Sequence, residues 1–225
     1  MYLIEPLYRV YMLSGLTVLF GHIMDINIST SSIEYYCSDE NRLRLYIEGQ
    51  KKLQFNLLLV SPFNYLIAYN YLLDTTVEKI QMFNLCRLLI LHNFLYFVLH
   101  YSVHKIKSIR FIHHFHHLFK VNTPSIGNSV SYLEFQILYV TPFLIGMYLF
   151  NPNPITLDFS IGIISFLNTL IHCDEFKGLY WIPFLVSSKQ HCEHHDNYSS
   201  TYSAPLINFD LIFNNDNKKD NKKDN

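Results

Sequence analysis

The chain has 225 residues, half of them hydrophobic and 16% charged, with 17 Lys and Arg against 18 Asp and Glu. A typical soluble domain carries about 25% charged residues. This composition, with a mean hydropathy of +0.12, argues against an ordinary soluble enzyme and points to a membrane. The balanced charge leaves no footprint for nucleic acid, and the scattered glycines form no G-x-G-x-x-G or P-loop fingerprint.

Five apolar stretches follow one another. The first is Tyr2 to Met24, interrupted by Glu5 and Arg9. It lacks a basic start and a small-residue cleavage site, so it reads as an anchor rather than a cleaved signal peptide. The others are Phe55 to Leu73, Ile80 to Leu99 with Arg87 inside it, Leu133 to Phe150, and Ile155 to Ile171. A spanning helix needs about 20 apolar residues, which these meet only narrowly. Asp74 to Lys79 and Asn151-Pro-Asn-Pro154 are short connections that make two helical hairpins. The remaining connections then share one side. That side carries Arg42, Arg44, Lys51, Lys52, Lys105, Lys107, Arg110, Lys120, Lys177 and Lys189, whereas the two short turns carry Lys79 alone. The positive-inside rule makes the basic side cytosolic and, if the first stretch spans, the start of the chain lumenal.

Arg42 to Gln54 alternates apolar and charged residues and reads either as a surface-lying helix or as a solvated helix leading into the second stretch. The expected fold is an all-α integral membrane protein, with four to five membrane helices in hairpins and a cytosolic, helical, histidine-rich cap. Residues 1–84 form the anchor region, 85–213 the working domain, and the polar tail 214–225 is expected to be disordered. Cys37, Cys86, Cys173 and Cys192 have no C-x-x-C spacing and read as reduced thiols.

Most of the 12 histidines are clustered. His100 and His104 are four apart, so on a helix they share a face. His113, His116 and His117 form H-x-x-H-H, and His191, His194 and His195 repeat it. Imidazole suits iron, zinc, copper and nickel. Eight clustered histidines exceed the four ligands that one structural ion needs and suggest two metals. His172, at the cytosolic end of the fifth stretch, is a ninth candidate. Metal-bound imidazoles usually donate their other N–H to a carboxylate or carbonyl. Asp174, Glu175, Glu193 and Asp196 flank the clusters and are candidates for that supporting role, with His114 either supporting or exposed. His22 and His92 lie in apolar stretches and read as core or interfacial residues.

At these residues the chain resembles the fatty acid hydroxylase and sterol desaturase superfamily, from about His92 to Phe213. The resemblance rests on H-x-x-x-H at His100, H-x-x-H-H at His113 and the second H-x-x-H-H at His191. It extends to Ser131-Tyr-Leu-Glu134, to His172 with Pro183 after it, and to Tyr202-Ser203 and Phe209 to Phe213. Family members usually carry arginine where Tyr101 stands, an acid where Asn93 stands and lysine where His114 stands. Mid-chain spacing is closer to cholesterol 25-hydroxylases and methylsterol oxidases than to carotene hydroxylases.

What the resemblance implies is a membrane-bound oxygenase with two iron ions, acting with dioxygen on a lipid C–H bond by hydroxylation or desaturation. It also implies an external electron donor such as cytochrome b5 with its reductase. Lys222 and Lys223 resemble a dilysine retrieval signal of the endoplasmic reticulum membrane. The alternatives are a histidine-rich metal-binding or transport protein and a catalytically inactive lipid-binding relative.

Overall fold

The computed structural model describes residues 3–179, 182–198 and 201–213. The proposed tail and Lys222 and Lys223 lie outside them. Every regular element among the described residues is helical, and an isolated bridge pairs Leu185 with Ile207.

The chain opens with α1 (Ile4–Asn27) and the short α2 (Thr30–Cys37). Next comes α3 (Glu40–Phe55), started by Asp39, whose carboxylate accepts from the N–H groups of Asn41 and Arg42. The alternating segment Arg42 to Gln54 is therefore helix. Its Gly49 lies so close to Phe119 that an added Cβ would stand 2.7 Å from the ring. A π turn (Asn56–Val60) carries α3 into α4 (Ser61–Tyr71) without a break. The long α5 (Met82–Lys105) leads to the short α6 (Phe111–His114) and to 3-10 turns at His116–Leu118 and Pro124–Asn128.

One further continuous helix comprises α7 (Tyr132–Glu134), a π turn (Phe135–Val140) and α8 (Thr141–Phe150). Asn151 ends it in the left-handed region at φ 42°. Asn153 then caps α9 (Pro154–Ile171), with Pro154 in its first turn. A capping box between Ser187 and Gln190 starts α10 (Ser188–Asn197), and α11 (Asp210–Phe213) closes the described chain.

Four helices are long and apolar enough to cross a membrane: Ile4–Asn27, Met82–Lys105, Tyr132–Phe150 and Pro154–Ile171. The stretch from Phe55 to Leu73 packs against α1 beside them. Its α4 portion is shorter than these four.

The two short turns meet at one end of the bundle. The Asp74 N–H donates to Pro152 O at 3.0 Å, and the Asn153 amide donates to the carbonyls of Val77 and Lys79 at 2.7 Å each. The same end holds a charged network on α1. Arg9 reaches Asp158 on α9 at 2.8 Å, and Tyr65 on α4 donates to the same carboxylate at 2.6 Å. Glu5 and Arg9, which interrupt the first apolar stretch, thus hold α1 to its neighbours. At the opposite end, the buried Asp25 accepts from the N–H of Ser125 at 3.0 Å and from Tyr46 Oη at 3.0 Å. This ties the Pro124–Asn128 turn to the end of α1. All the histidine clusters lie at this second end.

Candidate metal centre

Four elements bring the histidines together. The last two turns of α5 present His100 and His104, one turn apart on one face. The chain then turns back through α6, which supplies His113, and through the 3-10 turn that follows, which supplies His116 and His117. His172 caps the end of α9, and α10 carries His191, His194 and His195. The result is two adjacent groups that could each hold a metal ion. His100, His104, His113, His117 and His194 form one, and His116, His172, His191 and His195 form the other. The ring centroids of His117 and His195 are 5.0 Å apart across the boundary. Eight of the nine rings are buried, and His104 is partly so.

The ring nitrogens test whether a metal fits. His100 Nδ1 lies 2.7 Å from Tyr202 O, His172 Nδ1 lies 2.7 Å from Asn168 O, and His113 Nδ1 lies 2.6 Å from Glu134 Oε1. The carbonyls of Tyr202 and Asn168 only accept, so His100 and His172 donate from Nδ1, and His113 does the same where Glu134 is ionised. A neutral ring then carries a bare lone pair on Nε2. Yet His100 Nε2 and His113 Nε2 face each other at 2.8 Å. Two lone pairs at that distance repel unless a cation lies against both. His104 Nε2 stands 3.2 Å from His100 Nε2 and 3.2 Å from His117 Nε2. In the other group, His172 Nε2 is 3.3 Å from His116 Nε2 and 2.8 Å from His191 Nε2. Nitrogens bound to one ion at about 2.1 Å stand about 3.0–3.4 Å apart, so this spacing is close to that of a filled coordination sphere.

Electrostatics favour the form a metal needs. Burial, reinforced by the neighbouring imidazoles, holds His113, His116, His191 and His195 well below the ordinary histidine value near 6.5. Burial also lowers His172 to about 4, against the lift from its bond to Asn168 O. Neutral imidazoles are ready ligands, because no proton has to leave first.

The acids beside the clusters in sequence do not reach the rings. His191, His194 and His195 share the inner face of α10, so a helix of 3.6 residues per turn points Glu193 outward and leaves Asp196 exposed. Glu193 stands 4.0 Å from Lys189 instead. Asp174 pairs with Lys177 at 3.1 Å, and Glu175 accepts from Ser29 Oγ at 2.6 Å, fixing the start of α2. His114 is exposed. The carboxylate that does touch an imidazole is Glu134. Its helix begins with Ser131, whose hydroxyl accepts from the Glu134 N–H at 3.1 Å.

Three contributors carried no cue from metal-ligand spacing. Two are the backbone carbonyls of Tyr202 and Asn168. The third is Tyr198, held in the left-handed region at φ 57° at the end of α10. Its ring centroid lies 4.6 Å from that of His117, and Lys120 Nζ donates to its hydroxyl at 2.6 Å.

Of the three departures from the expected pattern, His114 is exposed and the other two have different fates. Tyr101 is exposed, with Lys105 over its ring. Asn93 is fully buried, and its Oδ1 accepts from the N–H groups of Leu206 at 3.0 Å and Ile207 at 3.4 Å. It therefore latches to α5 the segment whose Tyr202 carbonyl orients His100.

Residues 85–215 match the fatty acid hydroxylase family, more than half of the chain. The chain belongs to the fatty acid hydroxylase family. No curated protein and no solved structure matches it. Members of this family are oxidoreductases of lipids, and the match covers the described parts of all three histidine clusters, His172 and Glu134.

Proposed function

We propose that this fatty acid hydroxylase family member binds one iron ion in each histidine group and oxidises an unactivated C–H bond of a membrane lipid. Hydroxylation balances as R–H, dioxygen, two electrons and two protons giving R–OH and water. Desaturation uses the same oxidant and electrons, takes two hydrogens from adjacent carbons and releases two waters. The iron pair, when bound, supplies the redox chemistry that dioxygen needs to attack such a bond.

The chain's own residues do the rest. The nine imidazoles hold the ions. Glu134 and the carbonyls of Tyr202 and Asn168 fix the rings of His113, His100 and His172 with Nε2 turned inward. Burial keeps bulk water from most of the cluster, while His104 lines a surface cleft with Arg110 and Tyr198. The apolar helices below deliver a lipid to the centre without taking its reacting carbon into water. Electrons come from an external donor protein, for which cytochrome b5 with its reductase is the proposed partner. The basic connections favour a cytosolic face for the clusters, and the Lys222-Lys223 pair favours the endoplasmic reticulum membrane.

The facing nitrogens of His100 and His113 carry this reading, because rings that both donate from Nδ1 turn bare lone pairs on each other there, which a shared cation relieves. The test is lipid mass spectrometry of membranes from cells expressing the native chain or a His194→Ala, His195→Ala variant at matched levels, under labelled dioxygen. The expected result is a lipid that gains one labelled oxygen, or loses two hydrogens, with the native chain alone. Identical lipids in a host that supplies cytochrome b5 would overturn it.

A further inference from the structure

A cavity of about 110 Å³ lies between α1, α4, α8 and α9, away from the imidazoles. Its lining runs along the helices, from Phe135 to Met147 on one side and from Leu57 to Ala68 on another. At a rise of 1.5 Å per residue these spans are about 16–18 Å, so the chamber is elongated across the membrane.

Its two ends differ in chemistry. The end farthest from the histidines is closed by the buried side chains of Val10, Ala68, Met147 and Leu157. The one hydroxyl there, Tyr65 Oη, is already committed to Asp158. The near end is formed by Asn128 and Tyr139. Asn128 belongs to the turn whose Gly127 touches the His172 ring. Tyr139 packs edge-on against Tyr96, and Tyr96 packs against His100. Tyr139 is nine-tenths buried, and its Oη lies beside the side chains of Tyr96 and Asn168. A phenolic hydroxyl both donates and accepts, so Tyr139 can still meet an oxygen-bearing group at this end of the chamber.

A groove on the outer face of α1 and α9, lined by Leu16, Phe20, Gly162 and Phe166, shares Leu13, Thr17 and Ser165 with the chamber. Movement of these three side chains would open the chamber sideways towards the bilayer.

Resting on the lipid-oxygenase reading above, we propose that the chamber holds the substrate's hydrocarbon chain, with the chain end at Ala68 and Met147 and an oxygen-bearing end at Tyr139. The carbon oxidised then lies near the lipid's own oxygen rather than at the end of its chain. The opposite orientation would bury that oxygen against four apolar side chains with no donor free to meet it.

Photo-crosslinking tests this without turnover. Two saturated long-chain fatty acids are used, one with a diazirine at the terminal carbon and one with it beside the carboxyl group. Each is added to the full chain in lipid nanodiscs, and the labelled residues are mapped by peptide mass spectrometry. The terminal probe should mark α4 and α8 around Ala68 and Met147, and the carboxyl-side probe should mark the region of Asn128 and Tyr139. Ala68→Trp, or Leu144→Trp if the first does not fold, should abolish labelling by the terminal probe while metal content stays unchanged. Tyr139→Phe keeps the walls and should weaken the order between the two probes. The reverse order, or labelling confined to the outer faces of the helices, would overturn the proposal. Labelling in the expected order with no lipid oxidised in cells would leave the chamber standing and refute the oxygenase reading instead.

Discussion

His113 Nδ1 and Glu134 Oε1 share a hydrogen bond at 2.6 Å, and both side chains are buried. The carboxylate sets the tautomer of the ring and raises its basicity. Groups of this kind are worth about 10–100-fold in metal affinity. Glu134→Gln should lower iron affinity within that range, and Glu134→Ala should lower it further. Competition with a chelator of known affinity measures it. Unchanged affinity in both variants would mean that Glu134 does not tune the site.

Gly127 tests whether the two groups fill independently. A Cβ added there would stand 2.7 Å from His172 Nδ1 and 2.8 Å from its Cγ. The ring must move off Asn168 O and out of its group. Gly127→Ala and His172→Ala should both reduce iron from two ions per chain to one, because the five-histidine group keeps all its members. Elemental analysis against protein concentration gives the count. Loss of both ions would show that the groups assemble as one unit.

Acid should undo the chelator-stripped protein over a defined window. Burial holds the His172 pKa at about 4 when folded, against about 6.5 for a free histidine. Between these values the unfolded chain binds protons that the folded chain does not. Stability therefore falls as pH drops from about 6.5 towards 4, and is level with respect to this group above 6.5. The other buried histidines of the cap shift in the same direction. Thermal unfolding in detergent at a series of pH values reads this out, and a transition temperature that rises on acidification would contradict it.

Asn93 should be structural in effect. Asn93→Ala leaves the partly buried N–H groups of Leu206 and Ile207 without their acceptor, at a cost below the roughly 1–3 kcal/mol of a fully buried donor. It also frees the segment that places the Tyr202 carbonyl on His100. A lower melting temperature and weaker binding of one iron are expected together. A variant that melts normally but loses iron would point to a role in the metal site itself.

The histidine pattern made the candidate site legible, because spacings of three and four residues survive as neighbours on a helical turn. The hairpins were legible too, since Asn151-Pro-Asn-Pro154 leaves the chain few alternatives to a turn. The division into groups was not. His113 and His117 are one full turn apart and fall together, whereas His116 is rotated into the other group. That outcome depends on the change from α to 3-10 geometry at Phe115. The supporting acids were misplaced for a related reason. Glu193 and Asp196 adjoin histidines in sequence, but adjacent positions on a helix point in different directions. Glu134, distant in sequence, is brought in by tertiary packing. The carbonyls of Tyr202 and Asn168 left no trace in the spacing because every residue has one.

The contact between Arg9 and Asp158 bears on the order in which the protein is made. Arg9 leaves the ribosome 149 residues before its partner. Glu5 pairs with Arg9 on its own helix at once, but an ion pair facing lipid is still costly. Until α9 is synthesised, α1 therefore has reason to stay at the bilayer surface or in the insertion machinery. Its final seating is a late event in biogenesis, and the last membrane helix to be translated is the one that locks the first in place.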